Sequence, residues 1–399
     1  MNIRLLICVI SGVLVAAAAA GQSGKPRVFA LQAQSLESNK ARIAKKDPAI
    51  MPAYEQLLKD AEKALQFGPV SVMEKKHFPP SGNKHDYMSL APYHWPDSSK
   101  KDGLPYIRKD GQTNPEVREY KDKEYMPPLC EAVHTLALAY YFSGNDKYAS
   151  HAAKLLRVWF LDTATKMNPN LNFAQAIKGV NTGRGAGLID SRHFIKVVDA
   201  IGLLCNSASW RPQDTKGMQQ WFAEFLHWMQ TSPNGRDEMD APNNHGGWYD
   251  AQRLSFALFI DSMELAKKIV MNAADRLDKQ MDETGKFPHE MQRTISLHYS
   301  VFAMNAFCTI AAMAEKANIE MWDYVSPSGK SIRKGFEQLL PYLLREKQWE
   351  GQQIRDFNFE DGFLLLKEGA ARYGCTNCEA GIQRVAGDKA KRLRIQLLY

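Results

Sequence analysis

The stretch Met126-Pro127-Pro128-Leu129-Cys130-Glu131-Ala132-Val133-His134-Thr135-Leu136-Ala137-Leu138-Ala139-Tyr140-Tyr141-Phe142-Ser143-Gly144-Asn145 decides the fold. Leu129, Val133, Leu136, Ala137, Tyr140 and Tyr141 recur at helical spacing and form one apolar stripe. The prolines suit a helix start, and Ser143-Gly144-Asn145 is a stop. Residues 147–161 repeat the pattern, so the unit is a helical hairpin whose stripes need further neighbours to cover them.

The same reading extends in both directions. Residues 28–44 and 51–67 carry helical apolar spacing, broken at Asp47-Pro48. Further helices are predicted over 190–206, 213–230, 249–260, 262–281, 292–317 and 331–347, and the end from Arg345 adds a final hairpin or a short extended piece. Strand signals are scarce: alternation never lasts, and no hairpin turn stands out. The expectation is a single all-α domain over 21–399, built as an α/α toroid (an incomplete α/α barrel) of antiparallel helical hairpins or as an open solenoid.

Two stretches break the helical pattern. Residues 68–123 are rich in Pro, Gly, Asp, Lys and aromatic residues, and a structureless stretch of that length in a compact chain points to function. Its centre, Ser89-Leu90-Ala91-Pro92-Tyr93-His94-Trp95, sets aromatic faces beside imidazoles, either to hold sugar rings or to pack on the body. The second stretch holds Gly179-Val180-Asn181-Thr182-Gly183-Arg184-Gly185. No strand precedes it and no Lys-Ser/Thr ends it, so it is not read as a phosphate loop.

Composition narrows the class. Of 399 residues, 45% are apolar, enough for a large core. Arg4, the apolar run 5–15 and the alanines 16–20 read as a cleaved leader, 1–20, so the mature protein is expected in the periplasm or secreted. No later stretch reaches the roughly 20 uninterrupted apolar residues of a spanning helix, and no membrane anchor is expected. A formal charge of +7 suits a polyanionic partner but does not identify one, and nothing suggests nucleic acid. Oligomeric state is silent. Cys130, Cys205 and Cys308 fall in apolar patterns and read as buried thiols. Cys375-x-x-Cys378 lacks a second pair at zinc spacing and reads as a small disulfide or free thiols.

The candidate chemistry lies in Ala241-Pro242-Asn243-Asn244-His245-Gly246-Gly247-Trp248 and in Glu290-Met291-Gln292-Arg293-Thr294-Ile295-Ser296-Leu297-His298-Tyr299. The first begins as a loop, because Pro242, Gly246 and Gly247 are poor helix formers, and turns helical from Trp248. The second also enters a helix. Amides, an imidazole, a guanidinium and a phenol are thus gathered near helix ends, a set suited to holding a carboxylate and moving a proton beside it.

These pieces, with the 89–95 segment before them, resemble the alginate lyase superfamily of α/α-toroid polysaccharide lyases, polysaccharide lyase family 5 and its Bacteroidetes relatives. The similarity spans roughly residues 50–345. It implies that Asn244, His245 and Arg293 face a uronate carboxylate and that Tyr299 exchanges the proton. The family 5 tyrosine aligns with Leu297, and Tyr299 is the phenol two residues on. Asn243, Tyr93, His94, Trp95, Trp248, Arg184 and His193 are the candidate substrate-binding residues. The resemblance implies an anionic polysaccharide, mannuronate-type alginate first, cut without metal or cofactor.

Elimination from a 4-linked uronide removes H5 and expels the oxygen at C4. The carboxylate must be neutralised, a base must take H5, and an acid must protonate the leaving oxygen. Tyr299 serves as both when proton and leaving group share a face, with Arg293 to lower its pKa; otherwise His245 is the base and Tyr299 the acid. Bland roles stand beside these: Asn243 or Asn244 as a helix cap, His245 as a satisfied structural histidine, Arg293 paired with Glu290, Tyr299 as core. A toroid glycoside hydrolase would instead use converging acids, for which Asp240, Asp250 and Glu290 are the candidates. A non-catalytic glycan-binding protein is the third reading.

Overall fold

The computed structural model describes residues 25–399; the expected leader, 1–20, lies outside them. The described chain is all-α: α1 (Ala33–Ala44), α2 (Met51–Ala64), α3 (Lys121–Ser143), α4 (Asp146–Leu156), α5 (Phe194–Leu204), α6 (Pro212–Thr231), α7 (Pro233–Met239), α8 (Asn244–Phe259), α9 (Met263–Gln280), α10 (Pro288–Met291), α11 (Ser296–Ala314), α12 (Ile332–Leu343), α13 (Phe363–Tyr373) and α14 (Cys378–Ala386). The predicted α3–α4 hairpin is present. Gly144 caps α3 in the left-handed conformation, and the Asn145 side chain accepts from the Lys147 N–H at the start of α4.

Helices α3, α5, α8, α11 and α13 pack each on the next and form an inner layer, with α2, α4, α6, α9 and α12 behind them. Burial matches the layers. Almost every residue of α5, α8 and α11 is buried, whereas α9 buries only Ala266, Ile269, Val270, Ala273, Leu277 and Gln280, one face at helical spacing. That explains why α11 is long and apolar enough to cross a membrane by composition: 72% of its most apolar window is covered by neighbouring helices. One apolar core draws on residues from Val28 to Leu397.

The first and last described segments meet. Asn39 of α1 donates to the Leu397 and Tyr399 carbonyls at 3.2 and 2.8 Å, and Arg394 pairs with Glu131 of α3. The α13–α14 turn carries the Cys375–Cys378 disulfide, and this pair is the final hairpin allowed for at the C-terminus. Cys130 and Cys308 are buried, but Cys205 is exposed: it follows the last residue of α5, where the apolar stripe has ended.

Other differences from the expectation have local causes. Helix α3 begins five residues before Met126 and runs through Pro127 and Pro128. Buried Asp122, in its first turn, bonds Lys75 at 3.0 Å and the Met88 N–H at 2.9 Å, which fixes the earlier start. Residues Gly185–His193 form 3-10 turns, so α5 starts at Phe194. The irregular stretches contain short strands that alternation could not reveal. Here β1 (Met88–Leu90) pairs in parallel with β4 (Phe173–Ala176), and β2 (His94–Trp95) pairs antiparallel with β3 (Ile107–Arg108).

Buried Asp199 of α5 ties the N-terminal segment to the inner layer, accepting from the Phe29 and Leu31 N–H groups at 2.6 and 2.8 Å. Asp199→Ala leaves both donors without an acceptor and is expected to destabilise the protein by about 2–3 kcal/mol, read as a lower urea midpoint. A midpoint within error of the parent would show that water replaces the carboxylate at no cost.

Candidate active site

Helix α8 starts earlier than its glycines suggest. Asn243 is the cap, its side chain accepting from the His245 N–H at 3.2 Å, and Gly246 and Gly247 lie in the first turn. A Cβ on Gly246 would stand 2.2 Å from Nη1 of Arg276 and 2.4 Å from the Ala241 carbonyl. Arg276, from α9, crosses here and bonds the Met239 and Ala241 carbonyls and Asp250, so the glycine makes room for the brace of the junction.

Two buried carboxylates stand behind the Asn-His pair. Glu238 of α7, 2% exposed, bonds His245 Nδ1 at 2.7 Å. With a carboxylate as partner Nδ1 carries the proton, and Nε2 is the nitrogen left for a ligand. Glu290 of α10 accepts from the backbone and side-chain nitrogens of Asn244 at 2.6 and 2.9 Å. Burial raises the Glu290 pKa, more than the Asn244 donors lower it.

Across the cleft, Tyr299 projects from α11. Its hydroxyl bonds that of Tyr93 at 2.9 Å, and the Arg293 guanidinium lies 3.6 Å from its ring centroid. Arg293 does not pair with Glu290. Its Nε and Nη2 bond the Asp110 carboxylate at 2.7 to 3.1 Å, and Thr294 adds its N–H at 3.1 Å. Burial works against the Asp110 charge, but Arg293, Arg108 and the Thr294 N–H hold its pKa well below the usual carboxylate range. The expectation that Arg293 lowers the Tyr299 pKa is reversed in net effect: burial, with help from Tyr93, pushes the phenol well above its ordinary value, and Arg293 offsets only part.

These groups line one cleft of about 790 Å³. Tyr93, His94, Arg184, Asn243, Asn244, His245, Trp248, Arg293 and Tyr299 all border it. Asn244 is 1% exposed, and its amide nitrogen is committed to Glu290. Burial, then the charges of Arg184 and Arg108, lower the His94 pKa. Arg184 reaches Gln175 at 2.9 Å, and the Trp248 indole donates to the Phe302 carbonyl at 3.2 Å.

Two candidates stand elsewhere. Trp95 lies outside the cleft lining, its indole donating to the Gln112 carbonyl and Lys109 resting over its ring. His193 lines a second, apolar cavity of about 340 Å³, because the 3-10 turns before α5 rotate it away. Of Asp240, Asp250 and Glu290, the acids named for a hydrolase, Asp240 borders the cleft, which Asp190, Asp237, Glu238 and Asp361 also line. Asp250 is held by Arg276, and Glu290 sits under Asn244.

Sequence reasoning missed Glu238, Asp110, Gln175, Arg192 and the Lys123–Asp190 pair, and set aside His298, which borders the cleft beside Asp361. Glu238 had a signal, seven residues before His245 and just ahead of the Pro242 break. Asp110, in Lys109-Asp110-Gly111, reads only as a turn.

With this geometry the chain was compared with known proteins. Residues 71–349 match the family model described as Alginate lyase. The chain belongs to the alginate lyase family. The enzyme is a polysaccharide lyase with the toroid fold of that family. An alginate lyase from Bacteroides ovatus is 39% identical over 94% of this chain and 99% of its own, with a TM-score of 0.89. Alginate lyase A1-III from Sphingomonas species A1 is 17% identical over 86% of this chain and 94% of its own, with a TM-score of 0.54, and shares the fold. No curated protein sequence matches the chain significantly.

Glu238→Gln keeps the side-chain shape but removes the charge that fixes the His245 ring. It is expected to lower lyase kcat about a hundredfold, within the span of one acid–base contribution. An unchanged kcat would separate the Glu238–His245 pair from the reaction.

Proposed function

We propose that the enzyme cleaves a 4-linked uronate polymer, mannuronate-type alginate first, by β-elimination that needs no metal. The observation that carries this is the convergence of two proton-handling groups on one cleft: Tyr299 under Arg293, and His245 braced by Glu238. The relative 39% identical to this chain is an alginate lyase, which supports the choice of polymer.

Where H5 and O4 lie on opposite faces, as in a guluronate residue, His245 Nε2 takes H5 as a proton. The C–H electron pair forms the C4–C5 double bond, the C4–O4 bond breaks, and the Tyr299 hydroxyl protonates O4. A phenol held well above its ordinary pKa is neutral at neutral pH and suited to donate. In a mannuronate residue H5 and O4 share a face, and there Tyr299 has both tasks, taking H5 and returning the proton to O4. The amide group of Asn243, with Asn244 held behind it by Glu290, meets the carboxylate from the α8 junction, where developing enolate charge needs donors. Arg293, its fork held by Asp110, acts on Tyr299 rather than as the main carboxylate clamp. Tyr93, His94, Trp248 and Arg184 form the walls for neighbouring sugars.

The leader reading places the mature protein, a single lyase domain over 21–399, in the periplasm or outside the cell, where such a polymer would be met.

The test is ultraviolet absorbance of the unsaturated product with polymannuronate, polyguluronate, glucuronan and chondroitin, with and without EDTA. A rise with an alginate block that EDTA leaves unchanged is expected, and Tyr299→Phe should lower kcat by at least about a thousandfold. New reducing ends without the absorbance rise would move the reaction to hydrolysis.

The raised Tyr299 pKa has its own signature. As an acid Tyr299 must be protonated, so kcat/KM should show no loss from its ionisation up to about pH 10. A rate that instead climbs tenfold per pH unit through that range would make the phenolate the reacting form and Tyr299 the base.

A further inference from the structure

Residues 92–114 form a strap over the cleft, folded on itself by β2 and β3 and by the Lys109 N–H donating to the Tyr93 carbonyl at 2.7 Å. This end of the ribbon therefore carries two groups towards the phenol and its guanidinium. Tyr93 brings its hydroxyl to that of Tyr299, and Asp110 brings its carboxylate to Arg293. The strap is pressed onto the turn before α11. Thr294 Oγ1 donates to the Asp110 carbonyl at 3.0 Å, and a Cβ on Gly111, whose φ is +73°, would stand 2.5 Å from that Oγ1.

Asp110 accepts from Arg293 through both its oxygens and also from Arg108 at 2.7 Å. A carboxylate that grips the Nε edge of a guanidinium fixes the plane of the group as well as its place. Here that plane lies 3.6 Å from the centre of the Tyr299 ring. A cation over the ring interacts weakly with a neutral phenol and strongly with the phenolate that exists once the proton has gone.

We propose that Asp110 is a positioning residue, holding Arg293 on the face of Tyr299 so that the guanidinium stabilises the phenolate left when Tyr299 gives its proton to the leaving oxygen. The assignment rests on the lyase reading above, with Tyr299 as the acid. Asp110 itself touches no substrate in this role. It acts through Arg293, and it works only while the strap is seated, which couples the catalytic charge to the loop that covers the sugar.

The experiment is Asp110→Asn with Asp110→Glu as the conservative control, in the full-length mature enzyme on the best alginate block. An interaction made only in the transition state gives a distinctive split. Asp110→Asn should lower kcat and kcat/KM together, about tenfold or more, with KM within about twofold, and Asp110→Glu should recover most of the loss. A rise in KM at unchanged kcat would overturn the proposal and make Asp110 part of the sugar-binding wall. Equal losses in Asn and Glu variants would reduce it to a structural pin.

A crystal structure of the Asp110→Asn protein gives a readout independent of activity. The guanidinium is expected to leave the Tyr299 ring face, and one still stacked there would overturn the proposal. If the parent enzyme yields no unsaturated product from any uronate polymer, the lyase reading fails on that result alone, while the crystal structure still decides whether Asp110 places Arg293.

Discussion

A helix that is apolar on every side has to be enclosed by other helices. Helices α5 and α11 are largely of this kind, and α8 is buried on all sides as well, its Asp250 held by Arg276; their need for cover produces the two-layered fold. Once the inner layer is assembled, its lateral surfaces are committed to packing. Polar chemistry is left to the helix ends and to the loops that cross them. The cleft lies there, at the start of α8, the turn before α11, and the strap laid over both.

Charge in the cleft is organised in pairs. Arg293 meets Asp110, Lys123 meets Asp190, His245 meets Glu238, and His298 faces Asp361. Each pair fixes the orientation of a group that would otherwise sample many positions, and a polar framework already oriented need not reorganise as charge moves during the reaction. Arg184 is held differently: among the described residues its hydrogen-bond partner is the neutral Gln175.

The fold was legible because its signals are local. The stripe of α3, the Ser143-Gly144-Asn145 stop and the repeat of that unit are properties of a few adjacent residues. The Asn-His and Arg-to-Tyr pieces were legible for the same reason, as short runs with uncommon combinations of side chains. What escaped notice depends on residues far apart in the chain. The α8 start was misplaced because Gly246 serves a contact with Arg276 that no local propensity reports. Asp110 looked like a turn residue, and its meaning appears only beside Arg293. His193 was placed with the cleft on type alone, but 3-10 turns aim it at the other cavity.

The bond between Asp110 and Arg293 joins residues 183 positions apart. Contacts of that span form late in folding, because the chain between them must be ordered first and each such closure carries an entropic cost. Eight of the fourteen helices, α3 to α10, lie between the two ends of that bond. A partly folded chain would therefore hold its individual helices without the guanidinium set on the phenol. The seating of the strap on the turn before α11 is then a report on the ordered chain between them, a bond that no single helix can supply.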